Sequence, residues 1–233
     1  MKLRVKDAAE LLDVSEKTIY RWIANEKMPF HQVNRQYRFN RAELLEWVTS
    51  NQMPISPKLL EEPDDAYIPS LSEALQTGGI HYHVEGGDKA EVLHSVVDIL
   101  ALPQEFDREF LHQVLFAREL LGSTAIGNGI AIPHARSPIA LHINRALVSI
   151  CYLENPIDFQ AIDGMPVHTL FTIVSPTIKA HLSLLSKISY GLQHDTFLKA
   201  IAHNGSREEI LQAATDLDVH ISQITSTTKR PAS

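Results

Sequence analysis

The chain has 233 residues, of which 44% are hydrophobic and 21% charged, and its formal net charge is −7. These values are typical of a globular protein and exclude a wholly disordered or collagen-like chain. No apolar stretch approaches the roughly 18 residues that a membrane span needs, and the charged N-terminus lacks the apolar core of a signal peptide. The single cysteine, Cys151, cannot form an internal disulfide, so we expect no membrane insertion and a reducing, cytoplasmic location.

Charge is unevenly distributed along the chain. Residues 1–50 carry nine basic and seven acidic side chains, a net charge of +2, whereas the remainder carries −9. Residues 51–69 contain four prolines and two acidic pairs, which disfavour a continuous helix or a central strand and indicate a linker. We therefore predict two domains, at residues 1–50 and 70–222, followed by a flexible tail at residues 223–233.

The first domain has the pattern of a small helical module. Apolar residues recur at helical spacing over residues 5–12 and 15–25, and Ser15 is placed to cap the second helix. Two helices joined by such a short turn are typical of a helix-turn-helix. Residues 31–39 then alternate as a hairpin or wing, and a third helix is predicted over residues 41–49.

These first fifty residues resemble the excisionase and MerR-type winged helix-turn-helix modules, through the strings VKDAAELLDVSEKTIYRWIANEKMP and RQYRFNRAELLEWV. The resemblance implies that the second helix enters a DNA major groove and that the wing touches phosphates. The candidate DNA contacts are Lys17, Thr18, Tyr20, Arg21, Arg35 and Arg38. One such module makes few phosphate contacts, so a homo-oligomer or cooperative neighbours would supply the missing affinity. Docking to protein is the alternative role for this module.

In the second domain, helical and extended patterns alternate, which predicts an α/β fold with a mixed sheet flanked by helices. The predicted strands are residues 80–84, 146–153 and 167–174, and the predicted helices are residues 70–77, 89–100, 108–121, 178–192, 195–202 and 207–217. Asn128 and Gly129 suit a tight turn that requires positive φ, so residues 125–132 are predicted to form a short hairpin. Pro133 ends this hairpin and presents His134.

A second histidine lies close to a predicted helix start. Ser175 is predicted to cap the helix and Pro176 to occupy its first turn, so His181 falls in the early part of the helix. A helix N-terminus attracts anions, and the two histidines with Arg118 have the chemistry to surround a phosphoryl group. From the residues alone, a core position for His181 and an ion pair of Arg118 with Glu119 remain open.

The strings RELLGSTAIGNGIAIPHAR, PIDFQAIDGMPVHTLFTIVSP and HLSLLSKIS resemble the enzyme IIA domain of the mannitol/fructose class of the bacterial phosphotransferase system, including its nitrogen-regulatory branch. The resemblance covers about residues 70–220. It implies that His134 is phosphorylated by the histidine phosphocarrier protein, that His181 is a second active-site histidine and that Arg118 stabilises charge. Ser123 and Thr124 are weaker candidates for phosphate binding. This scheme requires no metal and no cofactor.

The predicted function is that of a phosphotransferase-type enzyme whose phosphohistidine state regulates an attached DNA-binding module. The alternative is a IIA component that relays phosphate to a sugar-specific IIB protein, with the N-terminal module docking to protein. The predicted partners are therefore the histidine phosphocarrier protein, a IIB or regulatory target protein, and DNA.

Overall fold

The computed structural model describes residues 2–25, 28–33, 36–51, 53–54, 68–135, 143 and 145–228. The chain divides into two compact units, one formed by residues 1–65 with residues 219–233 and the other by residues 66–218. Most of the predicted linker, and residues 229–233 of the predicted tail, lie outside the described residues.

The first unit contains the predicted helix-turn-helix and wing. Its elements in chain order are β1 (Lys2–Leu3), α1 (Val5–Leu11), α2 (Glu16–Ala24), β2 (His31–Val33), β3 (Gln36–Asn40) and α3 (Arg41–Ser50). The three strands form a sheet in the order β1-β3-β2, and both strand pairs are antiparallel. The helical module expected from the sequence is therefore confirmed, with the β2–β3 hairpin as its wing.

Helix α2 is held at its start and along one face. Ser15 caps it as predicted, since its hydroxyl oxygen accepts a hydrogen bond from the backbone N–H of Thr18 at 3.2 Å. Ile19 and Ile23 are buried on its inner face. The indole ring of Trp22 packs against that of Trp47, with 5.3 Å between the ring centroids, which holds α2 against α3. The opposite face of α2, which carries Lys17, Tyr20 and Arg21, is exposed.

The larger unit is a five-stranded mixed sheet flanked by helices. Its elements are α4 (Leu71–Gly78), β4 (Ile80–Val84), α5 (Lys89–Ile99), α6 (Arg108–Leu120), β5 (Ala125–Gly127), β6 (Ile130–Ala131), β7 (Leu147–Ile157), β8 (Val167–Val174), α7 (Ile178–Gly191), α8 (Asp195–Ala202) and the greater part of α9 (Arg207–Thr228), whose residues from 219 onward are grouped with the first unit. The strand order is β4-β7-β8-β6-β5. Strands β4 and β7, and strands β6 and β8, are parallel, whereas the other two neighbouring pairs are antiparallel. The predicted mixed sheet is confirmed.

Strands β7 and β8 are buried on both faces along most of their length, which explains why their sequences are largely apolar. On one face, residues such as Cys151 and Leu170 share a core with α5, which contributes Val92 and Val96. On the other face, the ring of Phe171 contacts the ring of Phe197 in α8, with 6.3 Å between their centroids. Helices therefore cover both sides of the sheet.

Two predicted boundaries differ from the structure by more than one residue. Strand β7 continues to Ile157 instead of ending at residue 153. A flexible tail was predicted from residue 223, but residues 223–228 are the end of helix α9. Leu217 and Ile221 are both buried and lie four residues apart, so the apolar face of α9 continues past the predicted end of the helix. No helix in the described part of the chain has the length and apolarity needed to cross a membrane.

Candidate active site

A tight hairpin delivers His134 to the edge of the sheet. Asn128 and Gly129 have φ values of 54° and 71°, so the turn between β5 and β6 uses the left-handed conformation that the sequence predicted. Beyond β6, His134 forms an isolated parallel bridge with Ile173 of β8, and the carbonyl of Pro133 accepts a hydrogen bond from the Ile173 N–H. The backbone that carries the ring of His134 is therefore held against β8.

The imidazole of His134 has a defined tautomer. The side chain is only 3% exposed, and Nδ1 lies 2.7 Å from the carbonyl oxygen of Ile132. A carbonyl oxygen can only accept, so in the neutral ring Nδ1 carries the proton and the lone pair belongs to Nε2. Nε2 is consequently the nitrogen that can act as a nucleophile.

The structure brings His181 to His134. The two ring centroids are 5.0 Å apart, and His181 is 4% exposed in the second turn of α7. Their approach follows from the topology, because β6 and β8 run parallel and α7 starts just after β8. The carboxyl end of β6 and the amino end of α7 thus meet at the same edge of the sheet.

The predicted cap of α7 is wrong by two residues. Thr177, not Ser175, is the N-cap: its backbone is extended and its hydroxyl oxygen accepts from the N–H of Ala180 at 3.1 Å. Ser175 is buried, and its hydroxyl contacts the Thr177 carbonyl at 3.5 Å. Pro176 therefore lies before the helix. His181 keeps its place near the helix N-terminus.

Basic side chains border the same helix start. A cleft beside the first turn of α7 is lined by Thr177, Lys179 and Ala180, together with Arg145 from the segment before β7 and Glu73 of α4. The helix N-terminus and the two cations favour an anion, whereas the Glu73 carboxylate opposes one, and neither His134 nor His181 lines this cleft.

Arg118 lies in the last turn of α6, and its Nη1 donates to the carbonyl oxygen of Gly122 at 2.9 Å. The two weaker phosphate candidates follow that carbonyl, but both hydroxyls are already used as donors. Ser123 donates to the Phe159 carbonyl at 2.5 Å, and Thr124 donates to the Glu119 carboxylate at 2.6 Å. Either hydroxyl would have to rotate away from its present acceptor before it could donate to a phosphoryl oxygen.

Sequence reasoning missed a buried carboxylate behind this loop. Glu119 is 4% exposed and pairs with Lys89, with 3.2 Å between Oε1 and Nζ. The sequence alone suggests Glu119 only as an ion-pair partner for Arg118. A signal was present, because Glu119 continues the buried stripe of Leu111 and Leu115 at four-residue spacing.

The candidate DNA contacts of α2 point away from its core. Lys17, Tyr20 and Arg21 are exposed, Tyr20 by 49%. Thr18 is half-buried, and its hydroxyl lies 3.0 Å from that of the cap residue Ser15. Three of the four side chains predicted on this helix are therefore accessible to a partner.

The wing is joined to α2 by aromatic rings. Tyr37 makes edge contacts with Tyr20 and Phe30, at centroid distances of 6.2 and 5.3 Å. Arg38 is half-buried and donates to the Tyr37 carbonyl at 2.9 Å, so its guanidinium stiffens the wing. Arg35 lies outside the described residues.

Among residues that the structure describes, no group of three or more histidine, cysteine, aspartate or glutamate side chains could hold a metal ion. The two histidines of β4 have protein partners: His81 contacts the Gly78 carbonyl at 3.1 Å, and His83 contacts Glu154 at 2.5 Å.

The family model for the phosphoenolpyruvate-dependent sugar phosphotransferase system, EIIA 2, matches residues 73–216, and a helix-turn-helix domain model matches residues 3–52. The chain thus belongs to the EIIA 2 family of phosphotransfer proteins and carries an N-terminal helix-turn-helix domain.

Its relatives include nitrogen regulatory proteins. The chain is 36% identical over 156 residues to that of Pseudomonas aeruginosa, covering 63% of this chain and 96% of the relative. It is 33% identical over 150 residues to that of Escherichia coli K12, covering 64% and 91%. The crystal structure of the nitrogen regulatory protein IIA-Ntr from Neisseria meningitidis matches with a TM-score of 0.51 and 28% identity, covering 63% of this chain and 95% of that one. All three resemblances leave out about a third of this chain.

Proposed function

We propose that the larger unit is a cytoplasmic phosphohistidine carrier in which Nε2 of His134 accepts a phosphoryl group from the histidine phosphocarrier protein. The observation that carries this proposal is the 2.7 Å contact between His134 Nδ1 and the Ile132 carbonyl oxygen, which leaves the lone pair on Nε2. The centroid of the same ring lies 5.0 Å from that of His181. Membership of the EIIA 2 family supports the same assignment.

The transfer needs few catalytic groups. Nε2 of His134 forms a bond to phosphorus while the bond from phosphorus to the donor's imidazole nitrogen breaks, and that nitrogen keeps the electron pair. The ring of His134 retains its Nδ1 proton, so the positive charge that develops on it is stabilised by the Ile132 carbonyl. His181, Arg118 and the N-terminus of α7 are the proposed partners of the negative phosphoryl oxygens.

Labelling with phosphoenolpyruvate, enzyme I and the histidine phosphocarrier protein tests the site. We expect an acid-labile, base-stable adduct on wild type and none on His134→Gln. His94→Gln is the matched control, since it removes an exposed histidine of α5 whose Nδ1 lies 3.1 Å from Asp98 Oδ2, outside the pair. Labelling of His134→Gln at the wild-type level would overturn the assignment. His181→Ala is expected to slow the transfer, and unchanged kinetics would remove its proposed role.

We further propose that the first unit binds DNA through α2 and the wing, so that phosphorylation of His134 regulates a DNA-bound protein. The exposed Lys17, Tyr20 and Arg21 on one face of α2 support this function. Charge neutralisation of DNA phosphates releases counterions, so binding must weaken steeply with salt.

Fluorescence anisotropy with duplex DNA across a salt series tests this second proposal. Arg21→Ala should weaken binding and reduce the salt slope by about 1. Lys6→Ala is the control, because Lys6 is an exposed cation of α1 paired with Glu10 at 3.9 Å. Binding that does not respond to salt or to Arg21→Ala would instead favour a protein-docking module and onward transfer to a IIB protein.

Genome-wide recovery of bound DNA connects the two proposals. We expect the set of recovered sites, or their occupancy, to differ between wild type and His134→Ala, since a dianionic group changes the charge around the site. Identical profiles would argue that the two units act separately.

A further inference from the structure

The Glu119 carboxylate is buried at the C-terminal end of helix α6, where a negative charge is unfavourable. It is 4% exposed, and it lies in the last turn of α6, where the negative end of the helix dipole opposes a negative charge. Burial adds a desolvation cost to that repulsion. An ionised group is kept in such a position only when several donors are directed at it.

Three donors meet this carboxylate. Oε2 accepts from the backbone N–H of Thr124 at 2.9 Å and from its hydroxyl at 2.6 Å, and Oε1 accepts from Lys89 Nζ at 3.2 Å. The ammonium of Lys89 is itself placed by Gln160 Oε1 at 3.3 Å and by the ring of Phe159, whose centroid is 5.4 Å away. Glu119 therefore clamps the residue that leads from α6 into the hairpin.

The clamp is connected to the candidate nucleophile by two more hydrogen bonds. The carbonyl oxygen of Thr124 accepts from the N–H of Ile132 at 3.0 Å. The carbonyl oxygen of Ile132 in turn accepts from Nδ1 of His134 at 2.7 Å. The position of the carbonyl that holds the His134 proton is thus set by Thr124, and that of Thr124 by Glu119.

We infer that Glu119 is a positioning residue for phosphoryl transfer, which fixes the tautomer and orientation of His134 through Thr124 and Ile132. The inference rests on the proposed function of His134 as phospho-acceptor. It assigns Glu119 no contact with the phosphoryl group. Without the carboxylate, the Thr124 backbone loses its anchor, the Ile132 carbonyl moves, and the ring is no longer held with its lone pair on Nε2.

The tautomer can be read directly in the unphosphorylated full-length protein. In ¹⁵N-labelled wild type we expect His134 to show a protonated Nδ1, an unprotonated Nε2 and a slowly exchanging ring N–H. Glu119→Ala should lose the slow exchange and show both tautomers. Glu119→Gln keeps one acceptor oxygen for Thr124 and should restore the wild-type pattern in part. An unchanged His134 spectrum in Glu119→Ala would overturn the inference.

Transfer kinetics provide the second readout. The rate of phosphorylation by the histidine phosphocarrier protein should fall by about 10- to 100-fold in Glu119→Ala, because small misplacements of a nucleophile are costly. The matched control is Leu217→Ala, which empties a buried site against Gly191, ten residues along α7 from His181. It should lower stability while leaving the His134 spectrum and the rate per folded molecule unchanged. An equal rate loss in Leu217→Ala would mean that Glu119 acts on stability alone.

Thr124→Val tests the same inference if Glu119→Ala does not fold. Thr124→Val removes the hydroxyl that donates to Glu119 and keeps the backbone N–H, so it should shift the tautomer less than Glu119→Ala does. If Glu119→Ala does not fold, a His134 spectrum in Thr124→Val that is identical to wild type would contradict the inference. Failure of His134 to be phosphorylated would contradict the proposed function instead, since the spectrum is recorded without any phosphoryl donor.

Discussion

Asp218 of α9 holds the start of helix α4. Its Oδ1 accepts from the backbone N–H of Leu71 at 2.9 Å, and its Oδ2 accepts from the N–H and the hydroxyl of Ser72 at 2.9 and 2.8 Å. These are the first two N–H groups of α4, which have no partner within the helix and lie at the positive end of its dipole. We expect Asp218→Ala to destabilise the larger unit.

The magnitude follows from the two backbone donors. Leu71 and Ser72 are 0% and 9% exposed, so their N–H groups cannot all turn to water after the carboxylate is removed. A buried donor left without a partner costs about 1–3 kcal/mol, which makes a loss of about 3 kcal/mol reasonable for the two together. The Ser72 hydroxyl adds little, because Ser70 Oγ lies 3.1 Å away as another partner. Asp218→Asn keeps one acceptor oxygen and should lose about half as much.

Urea unfolding followed by far-UV circular dichroism measures this loss. With a slope of about 2 kcal/mol/M, the midpoint of Asp218→Ala should fall by about 1.5 M. The two tryptophans, Trp22 and Trp47, both belong to the first unit, so their fluorescence follows that unit separately. Asp216→Ala is the control: it removes the same charge from the same helix, where the carboxylate accepts from the side chain of Gln212 on the surface.

The two aspartate variants should differ clearly in their urea midpoints. Asp216→Ala should change the free energy of unfolding by less than about 0.5 kcal/mol, as is usual for a surface substitution. If the midpoints of Asp218→Ala and Asp216→Ala agree within about 0.25 M, the carboxylate of Asp218 does not hold α4 in the way we argue.

Three further outcomes are expected. Gly129→Ala should cost about 1–2 kcal/mol in urea unfolding, because φ is +71° and the new Cβ would displace the ring of His168; an unchanged midpoint would mean that the turn adopts another conformation. The backbone N–H groups of Asn128 and Met165 lower the pKa of Asp163, so its stabilising effect is present above the unfolded pKa of about 3.9 and is lost as the pH falls through the lower folded value. An NMR titration should show this lowered pKa, and Asp163→Asn should reduce the acid dependence of stability; an ordinary pKa would contradict the assignment. Burial raises the pKa of Cys151 to about 12, so a thiol reagent at pH 8 should react with it only after denaturation, and rapid labelling of the native protein would show that the core opens.

Much of the secondary structure could be predicted because its signals are local. Helical spacing, the cap at Ser15 and the turn at Asn128 and Gly129 each depend on neighbouring residues, and each is present in the structure. The largest boundary errors occurred where an element continues beyond its strongest pattern, and the cap of α7 was placed two residues too early. Helix α9 is the clear case, since Ile221 is buried and continues the helix past residue 217.

In the candidate site, too, some features could be predicted from the sequence and others could not. The residue types and motifs alone identified His134, His181 and Arg118 as candidates. The sequence could not show that the Ser123 hydroxyl is used elsewhere, because its acceptor Phe159 is distant in the chain, nor that α6 ends so that Glu119 meets the Thr124 hydroxyl. Nor could it show that the buried partner of Glu119 is Lys89, thirty residues earlier.

The sequence by itself determined a two-domain protein, with a basic helix-turn-helix module followed by an α/β domain with a histidine after a stiff hairpin. Those features depend on composition and on patterns within a few residues. Only the tertiary structure decided the strand order β4-β7-β8-β6-β5, which places the end of β6 beside the start of α7 and brings His134 to His181. It also decided which nitrogen of His134 holds the proton, because the acceptor is a backbone carbonyl whose position depends on contacts between α6 and the hairpin.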